Sequence, residues 1–200
     1  AAKIPVEIWH LKAAGKQNWK TMTRIVGLIQ QHRDEGIDMR ANVYPYTASS
    51  NALDATLPGW VHDGGTKKFL ERLNDKAIRE KIKNELVGKN VEEEFNPEGI
   101  MIAGVENPAL KQFEGKRLTE VAAAWKRSPV DALMDFVLAD SSRTSKINFS
   151  MNEEDLRIAM GQSWASFCTD TSTLAADGPL QQAQLAFQHR HIDRLTFPGL

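Results

Sequence analysis

The sequence predicts an α/β fold in which parallel strands alternate with helices packed outside the sheet. Three observations predict it. Residues 3–9 are extended and apolar, residues 19–35 place Met22, Ile25, Val26 and Ile29 at helical spacing, and residues 37–46 return to strand character. Strand, helix and strand in that order form the unit shared by doubly wound sheets and barrels. The run Gly99-Ile100-Met101-Ile102-Ala103-Gly104, followed by Leu118, Val121, Ala122 and Trp125 on one helical face, repeats the unit, and residues 164–168 add a last strand.

Each element has its own signals. The first strand runs into a loop, residues 11–18, rich in Gly and Lys. Asn18 is the expected N-cap of the first helix and Gly36 its stop. Pro45 and the Thr-Ala-Ser-Ser segment end the second strand. Residues 52–98 break the rhythm and read as a helical insertion: a loop-like stretch at 57–65, then one or two amphipathic helices over 66–86, broken near Asn74-Asp75. Ser128-Pro129-Val130-Asp131 combines an N-cap serine, a proline at the first helical position and a carboxylate three residues on, predicting a helix to about residue 139. Asn152 and Asp155 predict another through Met160. The strands are expected near 4–9, 38–44, 99–104 and 164–169.

Composition narrows the function. The 200 residues are 42% hydrophobic and 26% charged, which suits one folded domain rather than a disordered chain. Twenty-five basic against 26 acidic residues leave a net charge of -1, so the broad positive field a nucleic-acid partner demands is missing. No apolar run is long enough to span a bilayer, and the opening residues lack the apolar core of a signal peptide. A lone cysteine, Cys168, excludes an internal disulfide and a Cys-based zinc knuckle. A cytoplasmic location is the expectation. Because strand character begins at once after Ala1, the chain is expected to be a fragment of a longer protein.

In parallel α/β folds the reactive groups gather at the carboxyl ends of the strands. His10 follows the first strand, Tyr44 closes the second and Asp170 follows the last, so three segments deliver polar side chains to one face. Taken singly, each residue has a plainer reading: a structural histidine, a core tyrosine, a turn or N-cap aspartate.

The stretch His10-Leu11-Lys12-Ala13-Ala14-Gly15-Lys16-Gln17-Asn18-Trp19 resembles the His-x-Lys-x-x-Gly-Lys-x-Asn-Trp signature of the N-acyl-D-amino-acid deacylases of the amidohydrolase superfamily. Val43-Tyr44-Pro45-Tyr46-Thr47-Ala48-Ser49-Ser50 is similar to the next block of that family, and Phe167-Cys168-Thr169-Asp170-Thr171-Ser172 to its eighth-strand block. Glu114-Gly115-Lys116 and Ser128-Pro129-Val130-Asp131-Ala132-Leu133 extend the similarity over nearly the whole chain, apart from the last dozen residues.

The resemblance implies strands five to eight of a (β/α)8 barrel, carrying part of the site of a zinc-type metal hydrolase that cleaves N-acyl-D-amino acids. His10 is then the fifth-strand metal ligand, for which a neutral imidazole is well suited. Lys12 and Tyr44 meet the substrate carboxylate, the first as a compact charge and the second as a neutral hydroxyl donor. Asp170 both touches the metal and moves protons, because an attacking water needs a base and the departing amine needs an acid. The small-molecule substrate is the only partner implied beyond the missing N-terminal barrel half, without which the 200 residues are expected to be inactive.

The sequence also departs from the family. It has no counterpart of the His-x-His pair of strand one or of the bridging ligand that follows, and Tyr44 stands where some relatives place a histidine, so the resemblance implies a mononuclear site. Gln188-His189-Arg190-His191 precedes Leu195-Thr196-Phe197-Pro198 at altered spacing, which leaves the assignment of Arg190 to the carboxylate open. Two other readings stand beside this one: a cyclic-amide hydrolase of dihydroorotase or hydantoinase type, and a non-catalytic barrel fragment or binding module.

Overall fold

A computed structural model describes residues 4–87 and 95–170. In chain order its strands are β1 (Val6–Ile8), β2 (Met39–Val43), β3 (Ser49–Ala52), β4 (Ile100–Gly104), β5 (Ser145–Asn148) and β6 (Ala165–Phe167). Its helices are α1 (Met22–Asp34), α2 (Gly65–Leu73), α3 (Lys76–Val87), α4 (Leu118–Trp125), α5 (Pro129–Ala139) and α6 (Glu153–Met160). The fold is mixed α/β and, over the described residues, divides into two compact units, one of residues 4–14, 18–47 and 151–170, the other of residues 15–17, 48–87 and 95–150.

The first unit holds a three-stranded parallel sheet in the order β1-β2-β6, with Val6 opposite Met39 and Ala41 opposite Ala165. Helices α1 and α6 bury Met22, Val26, Ile29, Leu156 and Ala159 with Ala41 and Val43 of β2. The 3.6-residue spacing of the α1 apolar positions is what gives that helix one face to bury. Gly36, at φ +90, closes α1: its N–H bonds Arg33 O and the next N–H bonds His32 O, a left-handed exit that a side chain would strain.

The N-terminus of α1 differs from the sequence expectation. Asn18 is not its cap; the Asn18 amide donates to Ala14 O at 2.8 Å. The helix begins after Thr21, whose side chain makes no cap bond; Asp155 of α6 accepts its first N–H, that of Met22, and also the Lys20 N–H just before it. A cap supplied 133 residues along the chain leaves no local pattern to read.

The second unit is built on the antiparallel sheet β3-β5-β4. Here the segment at 99–104 is a strand as expected, but it does not join the parallel sheet; it pairs with β5 instead. The central strand β5 reads Ser-Lys-Ile-Asn and the edge β3 Ser-Ser-Asn-Ala, short polar sequences with little β signal of their own. Their pairing is dictated by tertiary contacts, and a reading that saw only 99–104 had no antiparallel partner for it. Helices α2 and α3 form on either side of Asn74-Asp75, and they bury Phe69, Leu73 and Ile82 with Leu133 and Phe136 of α5. Arg79 of α3 ties that helix to α5 through Asp131 at 3.2 Å and Asp135 at 2.7 Å. Ser128 caps α5 as predicted, accepting the Asp131 N–H at 3.1 Å.

Candidate active site

Because β1, β2 and β6 are parallel, their carboxyl ends open on one side of the first unit, and each is followed at once by a candidate residue. His10 stands two residues beyond β1, Tyr44 follows β2 directly and Asp170 lies three residues beyond β6. Both His10 (φ 55) and Asp170 (φ 54) take the left-handed backbone conformation. For residues other than glycine this conformation costs free energy, and it recurs where a side chain is aimed for function.

The His10 backbone is held in place by β2. Asn42, only 5% exposed, accepts the His10 N–H through Oδ1 at 2.8 Å, and its backbone carbonyl accepts the Leu11 N–H at 2.8 Å. A polar residue buried in mid-strand is costly unless it is bonded, and here the bonds it makes fix the turn that presents His10. The imidazole then lies over the end of the sheet. Its ring centroid is 5.2 Å from that of Tyr44, which is in turn 4.6 Å from Tyr46 in an edge-to-face arrangement.

Lys12 completes this group. Its Nζ sits 5.2 Å from the centroid of the Tyr44 ring, within cation–π range, and both residues line one small pocket with Tyr46, Asn152 and Asp155. Burial pushes the Tyr44 hydroxyl above the usual phenol range, and the nearby Tyr46 and Asp170 push it further. The phenol therefore stays protonated at neutral pH and can donate a hydrogen bond to an anion beside the lysine. Burial raises Tyr46 in the same way.

Asp170 is exposed at the end of β6, and its charge reaches Tyr44. Cys168 Sγ lies 3.3 Å from His10 Nε2. Arg190 falls outside the described residues. The sequence reading missed Cys168, Asn42 and Asp155 as members of this site. The buried polar Asn42 between Ala41 and Val43 was the one local signal available.

The divalent cation implied by the sequence resemblance can be tested against these donors. An imidazole nitrogen and a thiol sulfur are both good ligands for a zinc-type ion. Among the described residues, however, no group of three or more His, Cys, Asp or Glu side chains gathers closely enough to hold a metal. The described residues fit a cation as one edge of its coordination shell rather than as a complete cage. Nor, among these residues, is any helix long and apolar enough to cross a membrane.

No protein-family model and no curated protein matches the chain. Several solved structures are similar in fold, among them the following three. N-acyl-D-glutamate deacylase from Bordetella bronchiseptica, in complex with zinc and a phosphonate mimic of the tetrahedral intermediate, superposes with a TM-score of 0.53 at 18% identity, over 83% of this chain and 26% of its own. A D-aminoacylase studied for its binuclear metal centre gives 0.51 at 20% identity, over 82% of this chain and 25% of that one. A D-aminoacylase described as defining a novel subset of amidohydrolases gives 0.50 at 20% identity with the same coverage. The chain thus spans about a quarter of the length of these structures, and over four-fifths of its own length it has the fold of a portion of the D-aminoacylase structures.

Proposed function

We propose that this chain is a C-terminal part of the (β/α)8 catalytic barrel of a metal-dependent amide hydrolase, to which it contributes the three parallel strands β1, β2 and β6, and that the enzyme cleaves N-acyl-D-amino acids to a carboxylate and a free D-amino acid. One observation carries the reading: the carboxyl ends of three parallel strands bring an imidazole, a lysine beside a neutral phenol, and a carboxylate to one side of one compact unit. Each type has a task in amide hydrolysis, and the fold likeness to deacylases agrees with it.

In this reading a divalent cation, most simply zinc, supplies Lewis acidity to the scissile carbonyl, with His10 and Asp170 among its holders. The chain's own residues do the rest. Lys12 and the Tyr44 hydroxyl bind the substrate carboxylate and so set the position of the acyl group. Asp170 accepts a proton from the attacking water at its carboxylate and returns it to the departing amine, so one group serves both halves of the reaction. The rest of the barrel, absent from these 200 residues, is required for turnover.

A pocket that combines a cation and a phenol donor favours a substrate with a free carboxylate over a neutral cyclic amide such as a hydantoin. Comparing the full-length protein's turnover of N-acetyl-D-amino acids, their L-isomers, and dihydroorotate- or hydantoin-type rings tests this. Preference for the rings would sink the linear reading. Replacing Lys12 with Met is expected to lower kcat/KM about ten- to a hundredfold, mainly through KM, since one charge-assisted contact is worth about 1.5–3 kcal/mol. An unchanged kcat/KM for substrates with a carboxylate would remove Lys12 from the site.

A further inference from the structure

We propose that Tyr46 is a positioning residue for substrate capture: its buried ring, packed edge-to-face on Tyr44, holds the Tyr44 hydroxyl at the angle from which it donates to the substrate carboxylate. The inference rests on the carboxylate-binding role of Lys12 and Tyr44 and gives a task to a residue that the hydrolase reading leaves without one.

The pairing of the two rings begins in the backbone. The Tyr46 N–H bonds Tyr44 O at 2.8 Å, a three-residue turn with Pro45 at its centre. Proline suits that place, because its ring holds φ near the value that the common form of this turn requires. In an extended strand, residues two apart face the same side about 6.5–7 Å from each other. The turn that ends β2 draws them together, and the ring centroids stand 4.6 Å apart with 65° between the planes. Both tyrosines line the same small pocket as Lys12.

The two tyrosines differ in freedom. Tyr44 is half-buried, and its hydroxyl points wherever the ring is turned about two side-chain bonds. Its ring meets His10 with centroids 5.2 Å apart, Lys12 Nζ at 5.2 Å, and Tyr46. Of these, His10 is half-buried and Lys12 is exposed, whereas Tyr46 is only 4% exposed. A ring packed into the interior keeps one orientation, so Tyr46 is the fixed surface against which Tyr44 sets its angle. Edge-to-face pairing favours one arrangement over others by about two- to tenfold. Removing the ring of Tyr46 leaves Tyr44 its hydroxyl but not its aim, so capture of the carboxylate weakens while the chemical step does not.

Steady-state kinetics of the full-length protein test this, on whichever of a set of N-acetyl-D-amino acids it turns over fastest. Tyr46→Leu is expected to raise KM about five- to tenfold with kcat within about twofold of the parent, and Tyr46→Phe, which keeps the ring, to bring KM back to within about twofold. A double-mutant cycle separates aim from packing. In a Tyr44→Phe background the hydroxyl is gone, so adding Tyr46→Leu is expected to change KM by less than about twofold, whereas damage to packing would persist there. An equal rise in KM in both backgrounds, a fall in kcat as large as the rise in KM, or an unchanged KM overturns the proposal and leaves the hydrolase reading standing. If circular dichroism shows Tyr46→Leu unfolded, Tyr46→Met, whose longer side chain fills more of the space, takes its place in the cycle. If the parent hydrolyses none of these compounds, the hydrolase reading falls, and the calorimetric Kd for the same N-acetyl-D-amino acids replaces KM in the cycle. A parent that neither hydrolyses nor binds them overturns both.

Discussion

Replacing Asp170 with Asn is expected to lower hydrolysis of an N-acetyl-D-amino acid by the full-length protein at least about a thousandfold while leaving the fold intact. The two halves of that expectation have separate grounds. The fold survives because Asp170 is exposed and Asn is nearly the same size, so no packing is lost. The backbone survives too: at φ 54 the residue sits in the left-handed region, which Asn occupies at least as readily as Asp. Activity is lost because a neutral amide cannot take the proton of the attacking water or return it to the amine. General acid–base catalysis contributes about a hundred- to ten-thousandfold, and a weaker hold on the cation adds to the loss. Turnover at matched metal occupancy, with circular dichroism to verify folding, measures both. Activity within tenfold of the parent would make Asp170 a turn residue whose charge merely happens to reach Tyr44.

The site and the sheet that carries it were unequally legible in the sequence. The strands β1, β2 and β6 and the helix α1 announce themselves by their apolar patterning, and α5 and α6 also by caps that lie next to the helices they start, Ser128 and Asn152. His10, Lys12, Tyr44 and Asp170 are legible because they lie within or just beyond those strands and inside motif blocks. What the sequence could not reveal depends on distant pairing. Strand β5 is four residues long, with Lys146 buried in its middle, and nothing in Ser-Lys-Ile-Asn distinguishes it from a loop until β3 and β4 flank it. The approach of Cys168 to His10 likewise joins residues 158 apart. Both gaps have one origin: local propensity is weak wherever the stabilising partner comes from another part of the chain.

Asp155→Ala tests the most consequential of those distant contacts, and it is expected to destabilise the first unit by about 3–5 kcal/mol. The carboxylate is 2% exposed and fully engaged. One oxygen accepts the Lys20 N–H at 2.7 Å and the Asn152 amide at 2.6 Å; the other accepts the Met22 N–H at 3.2 Å. The first turn of a helix has four N–H groups with no partner inside it, and an anion there is favoured by both hydrogen bonding and the helix dipole. Alanine removes the acceptor for two backbone donors and one amide in a place water reaches poorly, and the cost of unmet donors adds to the lost charge-assisted bonds. Asp155→Asn separates these effects, since its single carbonyl oxygen can serve one donor while its NH₂ faces another; about half the loss is expected. Because Asp155 also lines the pocket with Lys12 and Tyr44, the variant should shift KM for carboxylate-bearing substrates even under conditions where the protein stays folded. Denaturant unfolding of the full-length protein, followed at the tryptophans, reads the stability change as a lower midpoint at unchanged slope. A midpoint for Asp155→Ala indistinguishable from the parent would show that α1 is held by its buried face alone and that the cap from α6 contributes nothing.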